Sequence, residues 1–565
     1  MNLYTHWSCI IFLLVSPMIS SAQEWTARYN GPGNGDDIAY ALALDNAGNI
    51  YITGWSWRAV VGYEYATLKY NASGVEQWLA RYGGPTDREN TWDYAYAVAV
   101  DNALNVYITG GSQGPSSGRD FATVKYDSSG AAQWVARYDG PANGLDEANA
   151  ISVDSAGNVY VTGKSAGTGT AYDYATIKYD SLGFEQWVAR YDGPSNGWDF
   201  ANALAVDISG NVYVTGWSAG FGTGYDYATI KYDSLGIEQW AKRYTSPGIG
   251  DDCAYALATD VVGNVYVTGW SEGTNSGYDY ATVKYDSLGE EQWAVRHCGP
   301  TDNQEKAYAL AVDDMGNVYV TGWSEGPGTY YDYATVRYYF SGDLHWEARY
   351  DGPANGFDYA RALAIDNAGN VYVTGWSKGI NTDYDYATVV YDSFGIQQMT
   401  ARYDGPGNSS DQAYALAVDN TGNVYVTGCS KGIGTSYDYA TIKYSSVGIE
   451  EEAELVMHDK TLSLMVYPNP FTHSTDIRFT PAPLHKARPG IHDSRCTIEN
   501  PELKVYDASG RLVRSFSLSA TYYLLPTIIS RSGVDDANRE LPSGVYFLKF
   551  EIEGQSTTEK LALIR

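Results

Sequence analysis

One heptapeptide recurs along this chain, and its recurrence limits the fold more than any other feature. Gly-Asn-Val-Tyr-Val-Thr-Gly begins at Gly157, Gly210, Gly263, Gly316, Gly369 and Gly422, with variants beginning at Gly48 and Leu104. Six of the seven steps are 53 residues; the first is 56, its three extra residues falling between Tyr82 and Asp93. Each of the eight copies holds four stretches whose side chains alternate in type at period two. In the fourth copy these are 201–207 (ANALAVD), 211–217 (NVYVTGW), 226–232 (DYATIKY) and 239–244 (QWAKRY). Turn residues bound them, as in Asp-Ile-Ser-Gly at 207–210 and Asp-Ser-Leu-Gly at 233–236. Four short strands in about 50 residues, repeated, predict a propeller blade; solenoid repeats are usually shorter and need capping units.

The two ends of the array are complementary. Let A, B, C and D denote the four strands of a unit, from the ring axis outward. The array opens with a lone D-type strand, residues 24–29 (EWTARY), and stops after a C-type strand, residues 438–444. The N-terminal strand can therefore complete the last blade and leave no sheet edge open. The expected fold is all-β: an eight-bladed propeller over 23–449 closed by its N-terminal strand, an acidic linker over 450–463, and a small Ig-like β-sandwich over 464–565. Strand A is Ala-rich (Ala201, Ala203, Ala205), which suits crowding near an axis. Strand D carries Trp in seven of eight copies, which suits the wider rim. Every strand D also carries Arg, from Arg28 to Arg402, and an acid opens every strand C, from Glu64 to Asp438. An exposed cross-strand ion pair at the rim is the expected arrangement, adding about 0–1 kcal/mol each.

Composition narrows the setting. A formal charge of −30 repels nucleic-acid phosphates and anionic membrane surfaces while leaving cations as partners. Residues 1–22 read as a signal peptide, with an apolar run at 9–15 and small residues Ser20-Ser21-Ala22 before the cleavage point. No later stretch is apolar for long enough to be a transmembrane segment. Export would permit disulfides, yet Cys253, Cys298, Cys429 and Cys496 lack framework spacing and read as unpaired.

The unit Asp-x-x-Gly-Asn-Val-Tyr-Val-Thr-Gly … Asp-Tyr-Ala-Thr-Val-Lys-Tyr resembles the bacterial β-propeller repeat of secreted and cell-surface proteins, the SBBP repeat. The tail resembles the type IX secretion C-terminal sorting domain of Bacteroidota-like bacteria. Three motifs carry that likeness: Tyr467-Pro468-Asn469-Pro470-Phe471, then Leu503-Lys504-Val505-Tyr506-Asp507-Ala508-Ser509-Gly510-Arg511, then Leu541-Pro542-Ser543-Gly544-Val545-Tyr546-Phe547. This resemblance implies recognition by the type IX machinery after passage through the periplasm, and display at the outer surface or release.

Candidate chemistry is sparse. No catalytic triad, zinc spacing or calcium loop is readable, and the only histidines of the array, His297 and His345, lie on D strands. Asp-x-x-Gly-Asn, as at 154–158, reads as a hairpin turn. Two patterns are candidate sites. An acid precedes each A-strand terminus at Asp37, Asp93, Asp146, Asp199, Asp252, Glu305, Asp358 and Asp411. Ring closure would gather these at one channel mouth, where calcium is the cofactor they would take; the plain alternative is that each ties down its own loop. Trp follows the Gly that ends strand B at Trp55, Trp217, Trp270, Trp323 and Trp376, with Gly111, Lys164 and Cys429 in the other units. An exposed Trp rim would suit a glycan or a surface protein; packing between units is the alternative. The expected function is a non-catalytic binding or scaffold propeller. A polysaccharide lyase or glycosidase, drawing its carboxylates from the acid ring, is the rival from another class. A purely structural adhesion element is the third reading.

Overall fold

The computed structural model describes residues 23–445, except 86–90, 116, 249, 275–276 and 302, and, beyond them, the strands between 463 and 563. The expected signal peptide, residues 450–462 of the expected linker and residues 468–471 of the first tail motif lie outside the described residues. The chain divides into two compact units, Met1–Glu450 and Glu451–Arg565.

The first unit is all-β, built from eight antiparallel sheets of four strands in propeller-like blades. In the fourth copy the strands are Asp199–Val206, Val212–Ala219, Tyr225–Tyr232 and Glu238–Tyr244, hydrogen-bonded in that order. Seven sheets are made from consecutive strands in this way. The remaining sheet takes its fourth strand from the other end of the array: Gln23–Tyr29 lies beside Tyr437–Tyr444, in the register Trp25↔Lys443 to Tyr29↔Tyr439. The longer first step of the repeat brings one addition, a two-residue strand Thr91–Trp92 pairing in parallel with Gly62–Tyr63.

Alternation sends each strand's two faces into two different cores. Val212 and Val214 of strand B pack with Ala228, Ile230 and Tyr232 of strand C against Tyr160 and Tyr174 of the preceding sheet. Tyr213 and Tyr227, on the opposite face, enter the next core with Val265 and Val267. The Tyr227 hydroxyl donates to the Ala281 carbonyl of the next sheet at 3.1 Å, so a large aromatic is buried without an unpaired O–H. The same pattern joins the ends of the array, where Tyr425 and Tyr439 pack with Ile50, Ile52 and Leu68.

The strand D tryptophans do more than fill rim volume. Trp187 donates its indole N–H to the Ser234 carbonyl at 3.2 Å, and its ring lies on Gly236, in the C–D hairpin of the next sheet. Gly236 has φ +81°, a conformation that Gly alone adopts without strain, and a Cβ there would come within 2.6 Å of the ring. The Asp-x-x-Gly-Asn segments form the expected turns: Asp207 accepts from the Ser209 and Asn211 N–H groups and from the Asn211 side chain.

The second unit has a three-stranded sheet, Ser463–Tyr467, Ser474–Thr480 and Thr527–Ser532. It also has a four-stranded sheet in the order Leu512–Ser517, Glu502–Asp507, Gly544–Ile552, Gln555–Leu563. All pairings are antiparallel. Among the described residues no helix is long and apolar enough to cross a membrane.

Candidate functional site

The joint between successive sheets explains both recurring charges. Each strand D Arg pairs with the acid that opens strand C of its own sheet, as in Arg190–Asp173 at 2.7 Å and Arg28–Asp438 at 2.8 Å. Arg190 also donates to Ser165 Oγ, to the Ser165 carbonyl and to the Tyr138 hydroxyl of the preceding sheet. These pairs are not the exposed rim contacts expected from sequence. The acid is buried, because the B–C and D–A loops fold over it, and the guanidinium has four local acceptors in place of water.

The acid set behaves likewise. Asp37, Asp93, Asp146, Asp199, Asp252, Glu305, Asp358 and Asp411 are all fully buried. Each turns between sheets and holds its own loop. Asp199 accepts from the Gly193 N–H at 2.7 Å and the Ala219 N–H at 3.1 Å; Asp358 accepts likewise from Gly352 and Lys378. Burial raises their carboxyls, against the lowering effect of these N–H groups: to about 6 at Asp37, Asp93 and Asp358, and to about 7 at Glu305. Four of the acids meet two other carboxylates each, as in Asp173, Asp192 and Asp199.

The tryptophan set is also relocated. Trp270, Trp323 and Trp376 are buried and Trp55 and Trp217 half-buried, so they form no exposed rim. Strand pairing sets each beside the second residue of strand A, and the rings of Trp217, Trp270 and Trp323 also meet the first residue of strand C. Trp217 stacks on Phe200 with ring centroids 4.1 Å apart and meets Tyr225 edge-on at 4.4 Å. At Gly111 and Lys164 charges replace the stack, with Glu147 bridging Arg119 and Lys164 across the second and third sheets, whereas the buried Cys429 pairs with Gln412.

The site that sequence reasoning missed lies on strand A. In every sheet the A–B ladder skips one residue, as between Ala201 and Ala203, leaving Asn202 as a β-bulge. The eight bulge residues are Tyr40, Tyr96, Asn149, Asn202, Tyr255, Tyr308, Arg361 and Tyr414. Bulges re-aim side chains and are common beside functional sites. Strand A is the inner edge of its sheet, and here the bulge side chains reach neighbouring units. Tyr40 stacks on Tyr414 at 4.9 Å and meets Tyr96 edge-on at 5.7 Å; Tyr255 meets Tyr308 at 5.0 Å. Asn149 and Asn202 donate to the Ala201 and Ala254 carbonyls of the next sheets. The Arg361 guanidinium lies over Tyr308 at 4.3 Å and over Trp376 at 4.8 Å. The bulge position is one at which the repeats differ, a signal visible in the aligned units as a variable fourth residue between invariant alanines, and its side chains form the bulge belt.

Family comparison matches the beta-propeller repeat (SBBP) to residues 24–58, 133–169, 186–222, 352–381 and 402–434, and the secretion system C-terminal sorting domain to residues 465–564. The chain carries SBBP repeats and a sorting domain. A sorting domain of this kind directs export to the cell surface or the medium. Four of the five SBBP matches run from strand D into strands A and B of the following sheet and so cover the joint built by the Arg and by the buried acid; the match at 352–381 covers strands A and B alone. The regulatory protein FlaEY of Caulobacter vibrioides is 31% identical over 120 residues, 18% of this chain and only 12% of FlaEY. Among solved structures, PorZ, an essential bacterial surface component of the type-IX secretion system of Porphyromonas gingivalis, aligns with TM-score 0.38 at 15% identity. That alignment covers 92% of this chain and 64% of PorZ. The β-propeller domain of the trilobed protease from Pyrococcus furiosus aligns with TM-score 0.36 at 9% identity, over 61% of this chain and 95% of that domain.

Proposed function

We propose that this SBBP-repeat chain is a secreted or surface-displayed, non-catalytic binding module, with eight sheets closed into one eight-bladed ring and the bulge belt as its ligand seat. One observation carries the reading. Strand A keeps its alanines in every unit, while the residue the bulge re-aims varies among Tyr, Asn and Arg. A purely structural ring has no need of such variation at one position. Aromatic faces beside amide and guanidinium donors suit the face and hydroxyls of a sugar, so a glycan is the favoured ligand and a surface protein the alternative.

The chemistry of the belt supports binding over catalysis. Burial raises the hydroxyls of Tyr40, Tyr96, Tyr255 and Tyr414, to about 12 at Tyr255, which unsuits them as bases near neutrality. The reading requires no cofactor. In the same reading the tail is an Ig-like β-sandwich handled by the type IX machinery and joined through the linker at 450–463. The test is a glycan array probed with the full chain and with a Tyr40→Asn/Tyr414→Asn variant, which carries residues already present at this position in two other units. Binding that falls at least about tenfold in the variant supports the seat. Undiminished binding would put the ligand elsewhere.

A further inference from the structure

Arg361 differs from the other arginines of the ring. Those on strand D each hold a carboxylate, from Arg28–Asp438 to Arg402–Asp385. Arg361 forms no salt bridge among the described residues, in a chain of formal charge −30, and its Nε is buried without a hydrogen-bond partner. Its surroundings are aromatic. Tyr308 and Trp376 flank the guanidinium, and Tyr40, Tyr255, Tyr359 and Tyr414 lie close enough to feel its charge. A buried donor left unpaired is costly, and a guanidinium pairs best with a planar carboxylate that accepts two parallel N–H bonds.

Resting on the reading of the belt as a ligand seat, we propose that its ligand is an acidic sugar whose carboxylate is held by Arg361 while the sugar ring lies on the neighbouring aromatic faces. The overall negative charge disfavours a polyanion, so the fit is to one carboxylate on an otherwise neutral glycan. Arg361 thereby sets specificity, and the tyrosines supply contact area.

The experiment titrates the full chain with glucuronate- and galacturonate-terminated oligosaccharides and with their glucose- and galactose-terminated counterparts. Tryptophan fluorescence and calorimetry are the readouts. The expected result is about 10- to 100-fold tighter binding of the acidic forms, from charge-assisted hydrogen bonds. Arg361→Tyr, which restores the residue found in five sibling units, should abolish that preference with the thermal unfolding of the chain unchanged. Arg361→Lys should retain only part of it, because an ammonium lacks the planar fork. Equal affinity for acidic and neutral forms overturns the role of Arg361 and leaves the belt as a neutral-glycan seat. Binding of neither series, with Arg361-dependent capture of a peptide C-terminal carboxylate, overturns the sugar assignment. Binding that Tyr40→Asn/Tyr414→Asn leaves untouched overturns the seat itself.

Discussion

Gly236→Ala probes the contact that locks one sheet to the next. Gly236 has φ +81°, and its missing Cβ would come within 2.6, 2.8 and 3.0 Å of the Trp187 Cδ2, Cγ and Cε3 atoms. Two costs follow from the substitution. The left-handed backbone costs an L-residue about 1–2 kcal/mol, and displacing a packed indole costs about 1–3 kcal/mol more. Gly222 separates the two, since its φ is +74° and nothing lies within 4 Å of a Cβ built there. Gly222→Ala should therefore lose about 1–2 kcal/mol, and Gly236→Ala about 2–5 kcal/mol. Equilibrium urea unfolding, followed by tryptophan fluorescence and circular dichroism, measures both. Adding Trp187→Met, the residue type that Met399 supplies at the same position of its own sheet, should make the Gly236→Ala cost non-additive by at least about 0.5 kcal/mol. Equal losses in the two glycine variants, or strict additivity with Trp187→Met, would refute the claim that the indole is seated on the hairpin.

Three further expectations are distinct in kind. Deleting residues 23–29 removes a paired strand, the Trp25 contacts with Tyr70 and Tyr425, and every bond of Arg28. The melting temperature should fall by several degrees and the exposed strand 437–444 should promote self-association, seen by calorimetry and light scattering; an unchanged melt would refute closure. Burial raises Glu305 to about 7, so its contribution to stability is present below the unfolded value near 4.3 and is lost as pH rises through 7. Glu305→Gln should thus gain on the parent chain by about 1–3 kcal/mol between pH 5 and pH 8 in urea midpoints, and a pH-independent gap would refute the assignment. Removing residues 464–565 should leave the repeats folded but retained in the periplasm of a type IX-competent host, measured by fractionation; release of the truncated chain would contradict the sorting role.

Strand order and closure were legible because alternation and turn residues are local, and because EWTARY at 24–29 is a strand D without a sheet of its own. The bulge was not, since a period of two cannot reveal a residue that drops out of the ladder: Ala201 and Ala203 flank Asn202 as though all three were paired. The acids admitted two readings for a related reason. Position along strand A puts Asp199 at one end of the sheet, but only the B–C and D–A loops decide that it turns inward to the Gly193 and Ala219 N–H groups. Variation at the Trp position looked like tolerance of solvent. At two of the three other units it reflects exchange of a buried stack for a buried charge cluster, because Gly111 leaves room for Arg119 and Glu147, and Lys164 pairs with Glu147.

The closing strand also sets an order of events. Most joints link neighbours, as Arg190 and Tyr138 do across 52 positions, whereas Arg28 reaches Tyr403 across 375. Closing a loop about seven times longer costs roughly 2 kcal/mol more in chain entropy, so this joint forms after its neighbours. The first strand made must wait for one of the last, and until residues 437–444 emerge the nascent array has an unpaired edge. The sorting domain follows those residues in the chain. Any molecule bearing a finished tail therefore already holds the strand that completes its ring, and the export address doubles as a certificate that the cargo can close.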